Sequence, residues 1–362
     1  MAISSCPKLL DYRLRLPAAS TWRRRRASGG RIVALGGGTG LPTLLRGLKS
    51  AQFASTGSRC TEAERDRLAA IVAMADDGGS SGRLRSAYGV LPPGDLRNCL
   101  LALSDCDARL ASLFGFRFRG NGGLGGHNLG NLILTALSEI EDDLLGAIDW
   151  AAEVLNIRGR VLPASLEPLT LRADYADGSS MHGESKIAAA GRPIRSVSVC
   201  PAGARALPQA LQAIEDADLI VIAPGSLYTS IMSVLSIQEI AAAVESAVAP
   251  VVLVLNLMTE PGETDGYSAV DFISALRRHV PCLRISNVLI NSTPVSRGIL
   301  DRYAAEGADQ VTVDPDQIRF LGCTPVLRDL LEEGDKVRHD PLKLGRAVLE
   351  LAKEEMRCAI QR

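Results

Sequence analysis

The chain has 362 residues, 46% of them apolar, with 40 Lys and Arg against 41 Asp and Glu, a formal net charge of -1. That length fills one large α/β domain or two smaller ones. Near-zero charge argues against a dedicated nucleic-acid binder, which needs a basic excess to release counterions from phosphates. A 4% aromatic content leaves little for base stacking.

Residues 1–30 are basic, with Arg23, Arg24, Arg25 and Arg26 in a row and Asp11 as the one acid. They lack the apolar core of a secretory signal. This stretch reads as a disordered basic extension, with a transit peptide or an anionic-lipid contact as alternatives. Behind it, Arg31–Leu35 reads as a short apolar strand, followed by Gly36-Gly37-Gly38-Thr39-Gly40 and a helical pattern over Leu41–Lys49. Pro42 falls in the first turn, where its missing N–H costs nothing. Leu68–Ala75 is a second buried strand ending in Asp76-Asp77-Gly78-Gly79-Ser80-Ser81-Gly82-Arg83. Strand, glycine turn, helix, strand opens a doubly wound α/β fold.

Residues 94–155 read mostly as helices, with Asp95 as an N-cap and Gly126–Asn131 opening into Leu132–Leu137. The texture then changes. Val161–Ser165, Leu169–Ala173 and Ile194–Val199 read as strands around an Asp177-Gly178 turn, a small antiparallel β excursion over about 158–200. Parallel-sheet signals return with the helix Leu207–Ile214 and the strand Asp218–Ala223, which turns at Pro224-Gly225-Ser226. They continue with the strand Val251–Asn256, a loop Met258–Tyr267, the helix Ser268–Arg278 and the strand Val288–Ile290. An amphipathic helix follows Pro341. The expectation is one interwoven, mainly parallel Rossmann-like domain over 31–355.

In open α/β sheets, ligands sit beyond the carboxyl ends of the strands. Gly37, Gly38, Thr39 and Gly40 bring bare backbone N–H groups and a helix N-terminus there, a setting for an anion. The loop fails both G-x-G-x-x-G and the P-loop pattern, so a tight packing turn is the other reading. Asp76 and Asp77 end a strand where an acid often meets a ribose hydroxyl; either would hold Mg²⁺ if one accompanies a diphosphate, or cap a turn. Gly78, Gly79 and Ser80 offer a second nest, and Asn128, Gly225 and Ser226 mark further polar helix entrances. No Ser-acid-His order stands out, and Ser226 sits in G-S-L-Y rather than G-x-S-x-G, so no catalytic nucleophile is named.

The eight cysteines form no C-x-x-C and have no His at zinc spacing. Reduced structural thiols fit a cytosolic compartment. No apolar stretch approaches the roughly 18 residues of a membrane span.

Six segments in order, 36–49 (GGGTGLPTLLRGLK), 75–85 (ADDGGSSGRLR), 92–104 (PPGDLRNCLLALS), 126–137 (GHNLGNLILTAL), 217–231 (ADLIVIAPGSLYTSI) and 258–271 (MTEPGETDGYSAVD), resemble the YvcK proteins. These are the gluconeogenesis factors, relatives of the phospholactate transferase CofD. The resemblance covers about 31–350 and implies a CofD-like Rossmann fold, a cytoplasmic location and binding of UDP-sugars, notably UDP-N-acetylglucosamine. It further implies a regulatory role in cell shape and envelope synthesis on gluconeogenic carbon, with protein partners there and self-association as further expectations. The expectation is that no cofactor is required, Mg²⁺ with the diphosphate being an option. By motif match the nucleotide contacts carry over to Gly37, Gly38, Thr39, Gly40, Asp76 and its Gly-Ser loop, Asn128, Gly225 and Ser226. Tyr303 and Arg338 resemble later sugar-nucleotide positions. The chain departs from the family at Glu260, where glutamine is usual, at Phe272 and at Ser233. A CofD-like, Mg²⁺-dependent transferase is the alternative function.

Overall fold

The computed structural model describes residues 30–53 and 60–361. The basic extension, through residue 29, lies outside the described residues. Seven parallel strands form the central sheet: β1 (Ile32–Gly36), β2 (Leu68–Val72), β3 (Arg160–Pro163), and then, beyond an antiparallel unit, β7 (Leu219–Ile222), β8 (Val251–Val254), β9 (Ile285–Asn291) and β10 (Thr324–Arg328). The antiparallel unit contains β4 (Thr170–Tyr175), β5 (Ser180–His182) and β6 (Ile194–Cys200), and the chain adds a hairpin of β11 (Leu331–Glu333) and β12 (Val337–His339). The order across the main sheet is β3-β2-β1-β7-β8-β9-β10. It grows one way from β1 to β3, then restarts on the other side of β1 with β7. That reversal is the topological switch point of a doubly wound sheet.

The sequence explains the positions of the strands. β1, β2, β7 and β8 are uninterrupted apolar runs, buried at every residue, as strands covered on both faces must be. Proline lies in β3 and β10, the two edges, where a missing ladder donor is tolerated.

Two helices fix the start of the site. Helix Gly40–Gln52 buries Leu41, Leu44, Leu45 and Leu48, each side chain contributing about 1.5–3 kcal/mol. Its other side meets helix Pro341–Gln361 at Gly47 and Gly345: a Cβ on Gly47 would sit 1.7 Å from the Pro341 carbonyl oxygen. This close crossing leaves the first helix little freedom to slide.

The antiparallel unit is smaller than the sequence predicts. Arg160–Pro163 pairs parallel with β2 and belongs to the main sheet, so the excursion begins at Thr170. An apolar run of four residues cannot announce its partner. The Asp177-Gly178 turn does join β4 to β5, with Gly178 at φ 83°. Helix Glu184–Ala190, β10 and the β11–β12 hairpin have no counterpart among the predicted elements, being short and without clear periodicity. Asp95 lies inside helix Gly94–Leu103, in its first turn rather than at its N-cap.

Candidate functional site

The carboxyl ends of β1 and β7 open onto a cleft of about 710 Å³. Its floor is made by Gly38, Thr39 and Gly40 after β1 and by Pro224, Gly225 and Ser226 after β7. These two loops touch. A Cβ on Gly40 would lie 1.7 Å from the Pro224 carbonyl oxygen, so only glycine lets the helix start this near β7. Gly38 has φ 60°, the left-handed region that costs other residues about 1–2 kcal/mol.

Asn256, just beyond β8, braces the second loop. Gly225 N–H donates to Asn256 Oδ1 at 3.1 Å, and Asn256 Nδ2 donates back to the Gly225 carbonyl at 2.9 Å. Ser226 Oγ donates to Glu260 Oε2 at 2.5 Å, and Asn256 Nδ2 lies 3.4 Å from Glu260 Oε1. Burial raises the Glu260 pKa above its usual value, against the effect of the Ser226 bond. The chain then enters a π-helical turn, Leu227–Ile231. Its N-terminus is occupied by Glu263, which accepts from Tyr228 N–H at 3.2 Å and Thr229 Oγ1 at 2.8 Å. Burial first, and Glu260 second, push Glu263 up to about 7.

The opposite wall is cationic. Arg46 comes from the first helix, and Lys336 and Arg338 from the β11–β12 hairpin. Among the described residues no carboxylate forms an ion pair with any of the three. Desolvation, then the positive charge of Arg338, holds the Arg46 pKa below its ordinary value. Tyr303 anchors this wall by accepting Val337 N–H on its hydroxyl at 3.1 Å. His339 also lines the cleft; its Nε2 is buried without a partner, and burial lowers its pKa to about 4.

Of the residues singled out from sequence, Gly38, Thr39, Gly40, Gly225, Ser226, Tyr303 and Arg338 meet in this one cleft. Gly37 is buried behind it; a Cβ there would meet Asp95 Oδ2 at 2.8 Å. The others do not line it. Asp76 Oδ1 accepts the N–H of Gly78 at 2.9 Å, and Asp77 Oδ1 accepts Ser185 N–H at 2.8 Å, capping the helix after β5. The two aspartates thus serve different elements. Among the described residues no group of three or more His, Cys, Asp or Glu is arranged to hold a metal ion. Gly79 opens helix Gly79–Tyr88, and Ser80 Oγ lies 3.1 Å from His127 Nδ1. Asn128 is buried, N-caps helix Leu129–Ile140 through Asn131 N–H and donates to the Gly115 carbonyl.

Sequence reasoning passed over Arg46, Asn256, Lys336 and His339. Asn256 was discoverable, because it is a polar residue at the carboxyl end of a predicted strand. A further acidic group lies behind the glycine loop. Gly38 N–H donates to Asp95 Oδ2 at 2.7 Å, and burial raises Asp95 to about 6. Glu184 is pushed to about 9, first by burial and then by Asp76, Asp95, Asp77 and Glu263.

The family model described as 2-phospho-L-lactate transferase CofD matches residues 32–331. A putative gluconeogenesis factor of Nostoc sp. PCC 7120 is 46% identical over 330 residues, covering 90% of this chain and 69% of the relative. The gluconeogenesis factor of Listeria monocytogenes is 44% identical, covering 88% of this chain and 94% of the relative. That of Bacillus subtilis is 41% identical, with 90% and 98% covered. A crystal structure of a UPF0052 family member from Bacillus halodurans superposes with a TM-score of 0.82 at 41% identity, covering 88% of this chain and 99% of that one. Seven parallel strands in this order, the matched model and these relatives agree: the chain belongs to the CofD/YvcK family.

Proposed function

We propose that this protein is a cytoplasmic binder of nucleotide diphosphate-sugars, UDP-N-acetylglucosamine foremost, acting as a gluconeogenesis factor in cell shape and envelope synthesis rather than as a conventional enzyme. The observation that carries the reading is the cleft at the β1/β7 switch point. There a helix N-terminus and two glycine loops share a cleft with three cations that form no close ion pair among the described residues, Glu332 acting on Arg46 only at longer range. Backbone N–H groups and arginines are the donors a pyrophosphate needs. The cleft volume suits a ligand of nucleotide-sugar size. Any Mg²⁺ would arrive with the diphosphate.

The relatives' printed name supports the gluconeogenesis role. Isothermal titration with UDP-N-acetylglucosamine, a GDP-linked donor and NAD tests the reading. One saturable site for the UDP-sugar, without turnover, is expected; ligand at 100 times its dissociation constant adds about 2.7 kcal/mol of stability. Indifference to all UDP-sugars would sink it.

A second reading is favoured by the matched family model, a transferase. It requires an acceptor alcohol and donor consumption, and the same experiment with product analysis separates the two.

A further inference from the structure

Glu260 is the one carboxylate among the residues lining a cleft whose far wall carries Arg46, Lys336 and Arg338. It is held in place, with Ser226 Oγ donating to it at 2.5 Å and Asn256 Nδ2 approaching from the other side. This has two consequences for an anion seated on the Gly225–Ser226 loop. A negative group stands one hydroxyl away from the anion, in a partly desolvated setting where charge repulsion is stronger than in water. The Ser226 proton also points to Glu260, so the hydroxyl does not donate toward the cleft.

Resting on the sugar-nucleotide reading of this cleft, we propose that Glu260 is a specificity-determining residue. It selects a diphosphate capped by a sugar over a nucleoside diphosphate with a free terminal phosphate. The chemistry behind the selection is one unit of charge. The second ionisation of a phosphate monoester lies near pH 6, so at pH 8 a free terminal phosphate carries about one more negative charge than an esterified one. Repulsion from Glu260 grows with that charge. A binder that must report the sugar-nucleotide pool gains from ignoring the nucleoside diphosphate left after sugar transfer, and cationic walls alone would favour the more charged species.

The test is titration calorimetry of UDP-N-acetylglucosamine and UDP, at pH 8, against wild-type protein and Glu260→Gln. Glutamine keeps an acceptor oxygen for Ser226 and removes the charge. Both affinities are expected to rise in the variant, UDP's more, so that the preference for the capped ligand shrinks about fivefold or more. The ratio is taken within one preparation, so partial loss of folded protein does not move it. An unchanged ratio overturns the assignment while leaving the cleft reading intact. Failure of wild-type protein to bind either compound overturns both.

Discussion

The backbone N–H of Gly38 donates to Asp95 Oδ2 at 2.7 Å, joining the glycine loop after β1 to the first turn of helix Gly94–Leu103. One amide of the expected nest is therefore already engaged by the protein. Thr39 and Gly40, at the start of the first helix, are left as the donors facing the cleft. The bond also holds Gly38 at φ 60°, and a Cβ there would meet Ser230 Oγ at 3.3 Å. Gly38→Val strains the backbone and crowds the cleft floor, so UDP-sugar binding is expected to vanish in calorimetry. Wild-type affinity in that variant would count heavily against the site.

Gly40 tests the junction of the two loops. Its Cβ position lies 1.7 Å from the Pro224 carbonyl oxygen, a backbone atom that cannot swing away. Gly40→Ala is expected to force the loops apart, lower stability by about 1–3 kcal/mol in urea unfolding, and weaken the ligand as well.

The cationic wall makes a different prediction, on binding alone. Arg338→Ala and Arg46→Ala each remove a charge that no ion pair uses, so melting temperature should hold. Ligand affinity should fall about ten- to a hundredfold, the scale of a lost charge-assisted hydrogen bond of roughly 1.5–3 kcal/mol. The wild-type affinity should also weaken with salt more than that of either variant.

Asn256 separates loop bracing from ligand contact. Its removal leaves the Gly225 N–H and carbonyl without their side-chain partner. Asn256→Ala is expected to cost about 1–3 kcal/mol of stability and to speed amide exchange at Gly225. Unaltered exchange would mean that the loop holds itself.

Glu184 gives a pH dependence with a definite sign. Its folded value of about 9 lies above the ordinary 4.5, chiefly through burial and then through the aspartates around it. It stays protonated when folded and ionises when unfolded. Its contribution is complete below about pH 4.5 and is lost as pH climbs toward 9. Asp95, raised to about 6, acts in the same direction between its ordinary 3.8 and that value. The unliganded protein should melt lower at pH 9 than at pH 6, and Glu184→Gln should narrow the difference. A variant with an unchanged pH profile would contradict this.

The fold and half of the cleft could be read from the chain because apolar runs and glycines carry their own signal. Ile32–Gly36, Leu68–Val72 and Leu219–Ile222 can only be buried strands, and the polar loops behind β1 and β7 follow from them. The other half could not. Lys336, in the turn of the β11–β12 hairpin, and His339, on its second strand, reach the cleft through a pairing of three-residue strands that arises only in three dimensions. Arg46 is an exposed residue on an amphipathic helix, and its sequence carries no sign of the cleft beside it. Asn128 shows a different ambiguity: a polar residue before a helix signals a cap and a ligand contact equally well, and its side chain bonds Asn131 and Gly115.

The most direct test is a crystal structure of the protein with UDP-N-acetylglucosamine bound. The account predicts the pyrophosphate within hydrogen-bond distance of the backbone N–H groups of Thr39, Gly40 and Ser226, with Arg338 on its other side. A diphosphate found elsewhere, with the space between those two loops left to solvent, would contradict it.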